Sequence, residues 1–372
     1  MFQLDPIFAR IAADPIAYAR QWKADTGRPV IGTLCSYAPE EIITAAGGLP
    51  LRLLTTGAGD QGADAHLQAY SCSLVRGALS DWLNGRLAVL DGVVFAHTCD
   101  SMQRLSDIWR LSRQDRFHAD VLWPATVTGP GAEVYSVEML REFAASYGGY
   151  FNTVVDDPAL AAAADLYNRI RHRLQQLYAL RRERPGLVAG GDWLAVMRTA
   201  MVMDRQTLAD TLDTLVSVLA QQPAPDFEGK RLMLAGGVCE APGIYQTIEA
   251  AGAEVVWDDL CTGWRYAAGE IDPTEAIWTA LARRYLRRSV CPAKHAGLTH
   301  RADELIAAAR EASADGVILL YLKFCDPHLF DYPYLKQRLA AADLPCLMVE
   351  LEDPRGAEGQ LRTRLEAFIE ML

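Results

Sequence analysis

The sequence holds eight cysteines, at positions 35, 72, 99, 239, 261, 291, 325 and 346, yet no C-x-x-C pair. Close pairs are the usual signature of zinc ribbons, thioredoxin-type centres and ferredoxin cluster loops, so all three classes lose their support. No apolar run approaches the roughly 18–20 residues that span a bilayer. No Lys/Arg-rich block stands against the net charge of −11, which argues against a nucleic-acid surface. There is also no G-x-x-x-x-G-K-[ST] loop, so ATP hydrolysis by a P-loop is excluded. Met1 to Pro15 carries Asp5 and Asp14 among its apolar residues, unlike a secretory signal. Together these absences predict a soluble, cytoplasmic protein with no membrane or nucleic-acid partner. In that reducing compartment the thiols stay free rather than forming a disulfide framework.

What is present is a chain of 372 residues, 51% hydrophobic and 22% charged, long enough for two or three domains. Short β-rich runs alternate with helical patterns in two places. In the first, Val30–Leu34, Leu49–Leu54, Val93–Ala96 and Val121–Pro124 read as strands, with a helix from Ala132 to Tyr147 ending at Gly148 and Gly149. In the second, Arg231–Leu234, Glu254–Trp257, the run after Gly316 and Leu347–Leu351 read as strands. Between them, Leu160, Ala163, Tyr167, Ile170, Leu174 and Leu177 form a helical seam, for which the stretch Trp193–Gln221 is the expected partner. Alternation of this kind implies parallel sheets covered on both faces. The expected fold is α/β, two Rossmann-like or flavodoxin-like halves joined by a helical insert, with boundaries at 1–150, 151–225 and 226–372. Gly57-Ala58-Gly59-Asp60-Gln61-Gly62 formally matches G-x-G-x-x-G, but the acidic residue at the right distance, Asp81, falls inside a helical pattern. A flexible loop is therefore expected there.

One construction occurs twice. Asp91-Gly92-Val93 leads through a strand to Cys99-Asp100, and Asp315-Gly316-Val317 leads through another to Cys325-Asp326-Pro327. In each case a helix follows at once, with Asp100 or Ser101, and Asp326, as expected N-caps. The first amide N–H groups of such a helix favour a thiolate on the preceding cysteine. Ligands in these folds bind outside the carboxyl ends of the strands, where Cys35, Cys99, Cys239, Cys261 and Cys325 all fall. Thiols converging there could bind zinc, hold an iron-sulfur cluster or include one catalytic cysteine. Zinc is the weaker choice, because structural zinc usually takes ligands paired close in sequence. Cys346 begins the last strand, at the opposite end, and reads as core.

Several motifs resemble the 2-hydroxyacyl-CoA dehydratase and benzoyl-CoA reductase subunits: Cys35-Ser36-Tyr37-Ala38-Pro39-Glu40-Glu41, Tyr70-Ser71-Cys72, Thr98-Cys99-Asp100-Ser101-Met102, Asp258-Asp259-Leu260-Cys261-Thr262-Gly263, and Lys323-Phe324-Cys325-Asp326-Pro327. The nearest likeness is to the smaller cluster-binding subunit of benzoyl-CoA reductase. The resemblance implies a 4Fe-4S cluster on Cys72, Cys99 and Cys325. It also implies a related second subunit in a heterodimer, a separate ATP-hydrolysing iron-sulfur activator protein, and a CoA-thioester substrate reduced or dehydrated by single-electron chemistry. A related branch holds a double-cubane 8Fe cluster and reduces small molecules, and Cys35, Cys239, Cys261 and Cys291 are available for it. Ser36, Tyr37, His97 and His328 are candidate catalytic residues beside these motifs, and Arg265 could pair with a CoA phosphate. The non-enzymatic alternative is an α/β scaffold with free thiols.

Overall fold

Both alternations form parallel sheets in the computed structural model, which describes residues 3–54, 62–112, 115–239, 242–351 and 358–372. The first sheet comprises β1 (Val30–Leu34), β2 (Leu49–Arg52), β3 (Gly92–Ala96) and β4 (Phe117–Val121), in the order β2-β1-β3-β4. The second comprises β5 (Lys230–Gly236), β6 (Ala253–Asp259), β7 (Gly316–Leu322) and β8 (Cys346–Leu351), in the order β6-β5-β7-β8. The two orders are the same, and both follow the first four strands of the flavodoxin arrangement. Strand order therefore reverses between β1 and β3, and again between β5 and β7. Most of the G-x-G-x-x-G match at Gly57–Gly62 lies outside the described residues.

The repeated Asp-Gly has a structural reason. Asp91 accepts from the Val30 amide at 2.9 Å, and Asp315 accepts from the Arg231 amide at 2.7 Å, so each carboxylate seals the start of a central strand. The following glycine is needed for close approach. A Cβ on Gly92 would lie 2.6 Å from Phe117 Cβ, and one on Gly316 would lie 2.9 Å from the Phe368 ring.

The helical segment between the sheets packs Asp157–Glu183 against Arg205–Ala220, burying Leu208, Leu212, Leu215 and Leu219 as the seam predicts. The stretch Trp193–Gln221 is two helices rather than one, Gly190–Ala200 and Arg205–Ala220, with Asp204 capping the second. Two sequence boundaries also move. The helix expected to end at Gly148 runs on to Phe151 and is closed by Asn152 in the left-handed region, while Gly148 packs under the Thr153 carbonyl. β4 starts four residues before the expected run, because an edge strand tolerates the half-exposed His118 and Ala119 and the exposed Asp120.

Two adjacent carboxylates tie the turn after β1 to the rest of the molecule. Glu40 meets Arg205 at 2.9 Å and the Tyr266 hydroxyl at 3.2 Å; Glu41 pairs with Arg171 and accepts from the Tyr285 hydroxyl at 2.8 Å. Burial pushes the Glu41 carboxyl up, but Arg171 and Arg284 hold it below the usual carboxylate range. A depressed folded-state pKa means that the pair's contribution is fully present above the usual carboxylate range and is lost as pH falls below it, through the lower folded-state value. Glu41→Gln strands a buried cation, so it is expected to cost about 3–5 kcal/mol at pH 7. Thermal melts of the two proteins across acid pH should show that gap narrowing; a gap independent of pH would contradict the ion-pair account.

Candidate functional site

Three helices begin at cysteines and point their first turns into one cleft. The Cys72 carbonyl accepts from the Arg76 amide at 3.2 Å, Cys99 from Gln103 at 3.1 Å and Cys325 from Leu329 at 3.1 Å, so each cysteine is its helix's N-cap. This shifts the expected caps at Asp100 and Asp326 by one residue. Those aspartates instead occupy the first helical turn, where a negative charge suits the dipole. The amides of Leu74 and Val75, of Ser101 and Met102, and of His328 each favour the thiolate of the cysteine that begins their helix. The cleft has a volume of about 500 Å³ and is lined by all three cysteines with Thr98, Pro292 and Phe330 among others.

The expectation that a helix N-terminus alone would favour thiolates is not met. Burial pushes Cys99 up to about 12 against the pull of its amides, and it raises Cys72 and Cys325 as well. Desolvation outweighs one to three amide dipoles when no cation or metal is at hand. The backbone is strained beside the cleft: Phe324 has φ 64° and Cys35, at the end of β1, has φ 78°, both uncommon for side chains with a Cβ.

A second group of thiols lies directly behind. Cys35 accepts from the Thr98 hydroxyl at 3.6 Å. Cys261 and Cys291 share a hydrogen bond, and Arg265 Nη1 donates to Cys261 Sγ at 3.1 Å. The Cys291 proton and the Arg265 charge therefore hold the Cys261 thiol well below its ordinary range, while Cys291 is raised. Cys291 was the one member of this group not at an expected strand end; its place follows from the loop after the helix Ile277–Arg287. Cys239 is fully buried, with its amide bonded to Thr262, and does not line the cleft. Cys346 starts β8, at the far end of its sheet.

The other sequence candidates lie around this pair of layers rather than in the cleft. Ser36 and Tyr37 are buried in the turn after β1, with Arg288 donating to Ser36 Oγ at 3.2 Å and stacking 4.1 Å above the Tyr37 ring. His97 bonds Asp120 at 2.7 Å on the β4 side. His328 is buried against Tyr321, and burial together with Arg301 and Arg265 keeps it neutral. Arg265 pairs with Asp259 at 2.8 Å and is inaccessible to a CoA phosphate.

The profile of the family described as "2-hydroxyglutaryl-CoA dehydratase, D-component" matches residues 35–372. The chain belongs to that family. A benzoyl-CoA reductase subunit of Thauera aromatica is 30% identical over 370 residues, covering 95% of this chain and 94% of the relative. Two dehydratase subunits are each 25% identical. The (R)-phenyllactyl-CoA dehydratase beta subunit of Clostridium sporogenes spans 98% of this chain and 97% of its own length. The (R)-2-hydroxyglutaryl-CoA dehydratase beta subunit of Acidaminococcus fermentans spans 98% of both. All three relatives are named as subunits of enzymes, and this chain is an enzyme subunit. Among its described residues no helix is long and apolar enough to cross a membrane.

The two thiol layers differ in a measurable way. In the metal-free protein at pH 7, iodoacetamide with mass-mapped labelling should modify half-buried Cys261 before Cys99 and Cys325, since the thiolate is the nucleophile. Faster labelling of the cleft cysteines would contradict the charge assignment.

Proposed function

We propose that the chain is the iron-sulfur subunit of a radical enzyme acting on CoA thioesters, of the benzoyl-CoA reductase or 2-hydroxyacyl-CoA dehydratase type. One observation carries the reading: Cys72, Cys99 and Cys325 each cap a helix and line the same cleft. Among the described residues, no three His, Cys, Asp or Glu side chains stand close enough to share one ion. The three thiols also come from distant parts of the chain, whereas structural zinc usually takes ligands paired close in sequence and a cluster can be held by single thiolates. The donor set is all thiol at its core, and three ligands leave one side of the group open to the cleft.

When bound, a 4Fe-4S cluster supplies low-potential, one-electron transfer. The chain's own residues do the rest. Cys72, Cys99 and Cys325 hold the group, and the amides of three helix first turns neutralise charge around its sulfurs. Pro292, Ala293 and Phe330 form the apolar part of the cleft wall facing a bound acyl group. Because the chain lacks a P-loop, ATP-driven electron supply would come from a separate iron-sulfur activator, and a related second subunit would complete the enzyme, as the naming of the relatives as subunits suggests.

The contact between Cys261 and Cys291, one layer behind the cleft, favours a second reading in which a larger double-cubane cluster reaches inward. Iron and acid-labile sulfide decide between them. Anaerobically purified protein should be brown with about four irons per chain, whereas about eight would favour the double cubane. Cys99→Ala and Cys325→Ala should lose the iron, and Cys346→Ala should keep it. Full iron content in both cleft variants would rule out the ligand assignment, and a colourless wild type would favour a scaffold.

A further inference from the structure

One carboxylate collects both sides of the Cys99 turn. Asp120, on the edge strand β4, accepts from His97 Nε2 at 2.7 Å and from the Ser106 hydroxyl at 2.5 Å, both on the same oxygen, Oδ1. His97 follows the end of β3 and lies two residues before Cys99; Ser106 lies seven residues after it, in the helix Asp100–Ser112. His118, also on β4, donates from Nε2 to Ser106 Oγ at 3.0 Å. Burial lowers the His118 pKa, so the ring is neutral and has one N–H to give. The donors therefore run from His118 to Ser106 to Asp120, and His97 meets the same oxygen from the other side.

A carboxylate on an exposed edge strand is ordinarily solvated, but this one is committed to a serine that is only 1% exposed. A buried hydroxyl is costly without a partner, which makes the contact specific. Side chains alternate along a strand, so His118 and Asp120 share the face that the helix covers. On that face Phe95 of β3 meets the edge of Trp109 at 5.6 Å and the His118 ring at 5.4 Å. Thr98 does not make this link, because its hydroxyl turns to Cys35. The second half repeats only part of the arrangement. The Lys323 amide donates to the Leu351 carbonyl at 2.8 Å, as the His97 amide donates to the Val121 carbonyl at 3.1 Å. Seven residues after Cys325, however, stands Tyr332 in place of serine. The serine arm belongs to the Cys99 turn alone.

We infer that Asp120 is a positioning residue for Cys99: by joining the strand end before it to the helix after it, the carboxylate fixes the sulfur's place in the cleft opposite Cys72 and Cys325. The inference rests on the cluster reading above for what Cys99 holds. Asp120 touches neither the bound group nor substrate, and acts through His97 and Ser106. Partners one step removed from a metal ligand are commonly worth roughly 10–100-fold in metal affinity, because they orient the ligand before it binds.

The test compares wild type with Asp120→Ala, Ser106→Ala and Asp120→Asn, the last of which keeps an oxygen in place for both donors. In the metal-free full-length chain, mass-mapped iodoacetamide labelling should show Cys99 modified faster in both alanine variants. Cys325, in the same cleft, and fully buried Cys239 should keep their wild-type rates. In the anaerobically iron-loaded chain the alanine variants should lose iron at roughly tenfold lower concentration of a competing chelator. Asp120→Asn should stay near wild type in both measurements. Faster labelling of all three cysteines would mean general loosening and would overturn the inference, as would unchanged Cys99 labelling in both alanine variants or an Asp120→Asn protein that behaves like Asp120→Ala. An iron-free wild type would overturn the cluster reading instead, and the labelling, which needs no iron, would still decide whether Asp120 holds the Cys99 turn.

Discussion

Desolvation of charge along the seam between the two sheets is the constraint on which the rest of the structure depends. The turn after β1, the helical segment and the second sheet meet there through Glu40, Glu41, Asp258 and Asp259, each buried and each satisfied by an arginine, a tyrosine or an amide. Such pairs add little net stability compared with apolar packing, but breaking one is expensive, so they hold the two halves in a single arrangement. The same low dielectric keeps the cleft thiols protonated and holds His328 neutral.

The duplicated topology explains why the site lies at this seam. Each half has its strand-order reversal between its first and third strands, and such a reversal opens a crevice at the carboxyl ends of the strands. Cys99 follows β3 and Cys325 follows β7, so the two equivalent positions face a common cleft when the halves pack together. Cys72, at the start of the helix Ser73–Leu83, has no counterpart in that pattern and closes the third corner.

The parts legible in the sequence were those set by local rules. The Asp-Gly echo marked equivalent strands because the aspartate seals a strand start and the glycine permits close packing. The strand-end cysteines could be found because a parallel sheet delivers its loops to one edge. Cys72 was singled out by family resemblance, since nothing in its own surroundings distinguishes it from a buried thiol. The pairing of Cys291 with Cys261 was out of reach for another reason: its significance lies in which partner is near after folding, and it has no period or spacing. The helix through Gly148 and the early start of β4 were misjudged where tertiary packing overrode a local signal.

The central claim is that one group sits on Cys72, Cys99 and Cys325 in the shared cleft. Anomalous diffraction at the iron edge from crystals grown anaerobically tests it most directly. The account predicts a compact cluster of peaks within bonding distance of those three sulfurs and none at Cys346. Peaks centred on Cys239, or no iron signal in the cleft of a protein that contains iron, would contradict it.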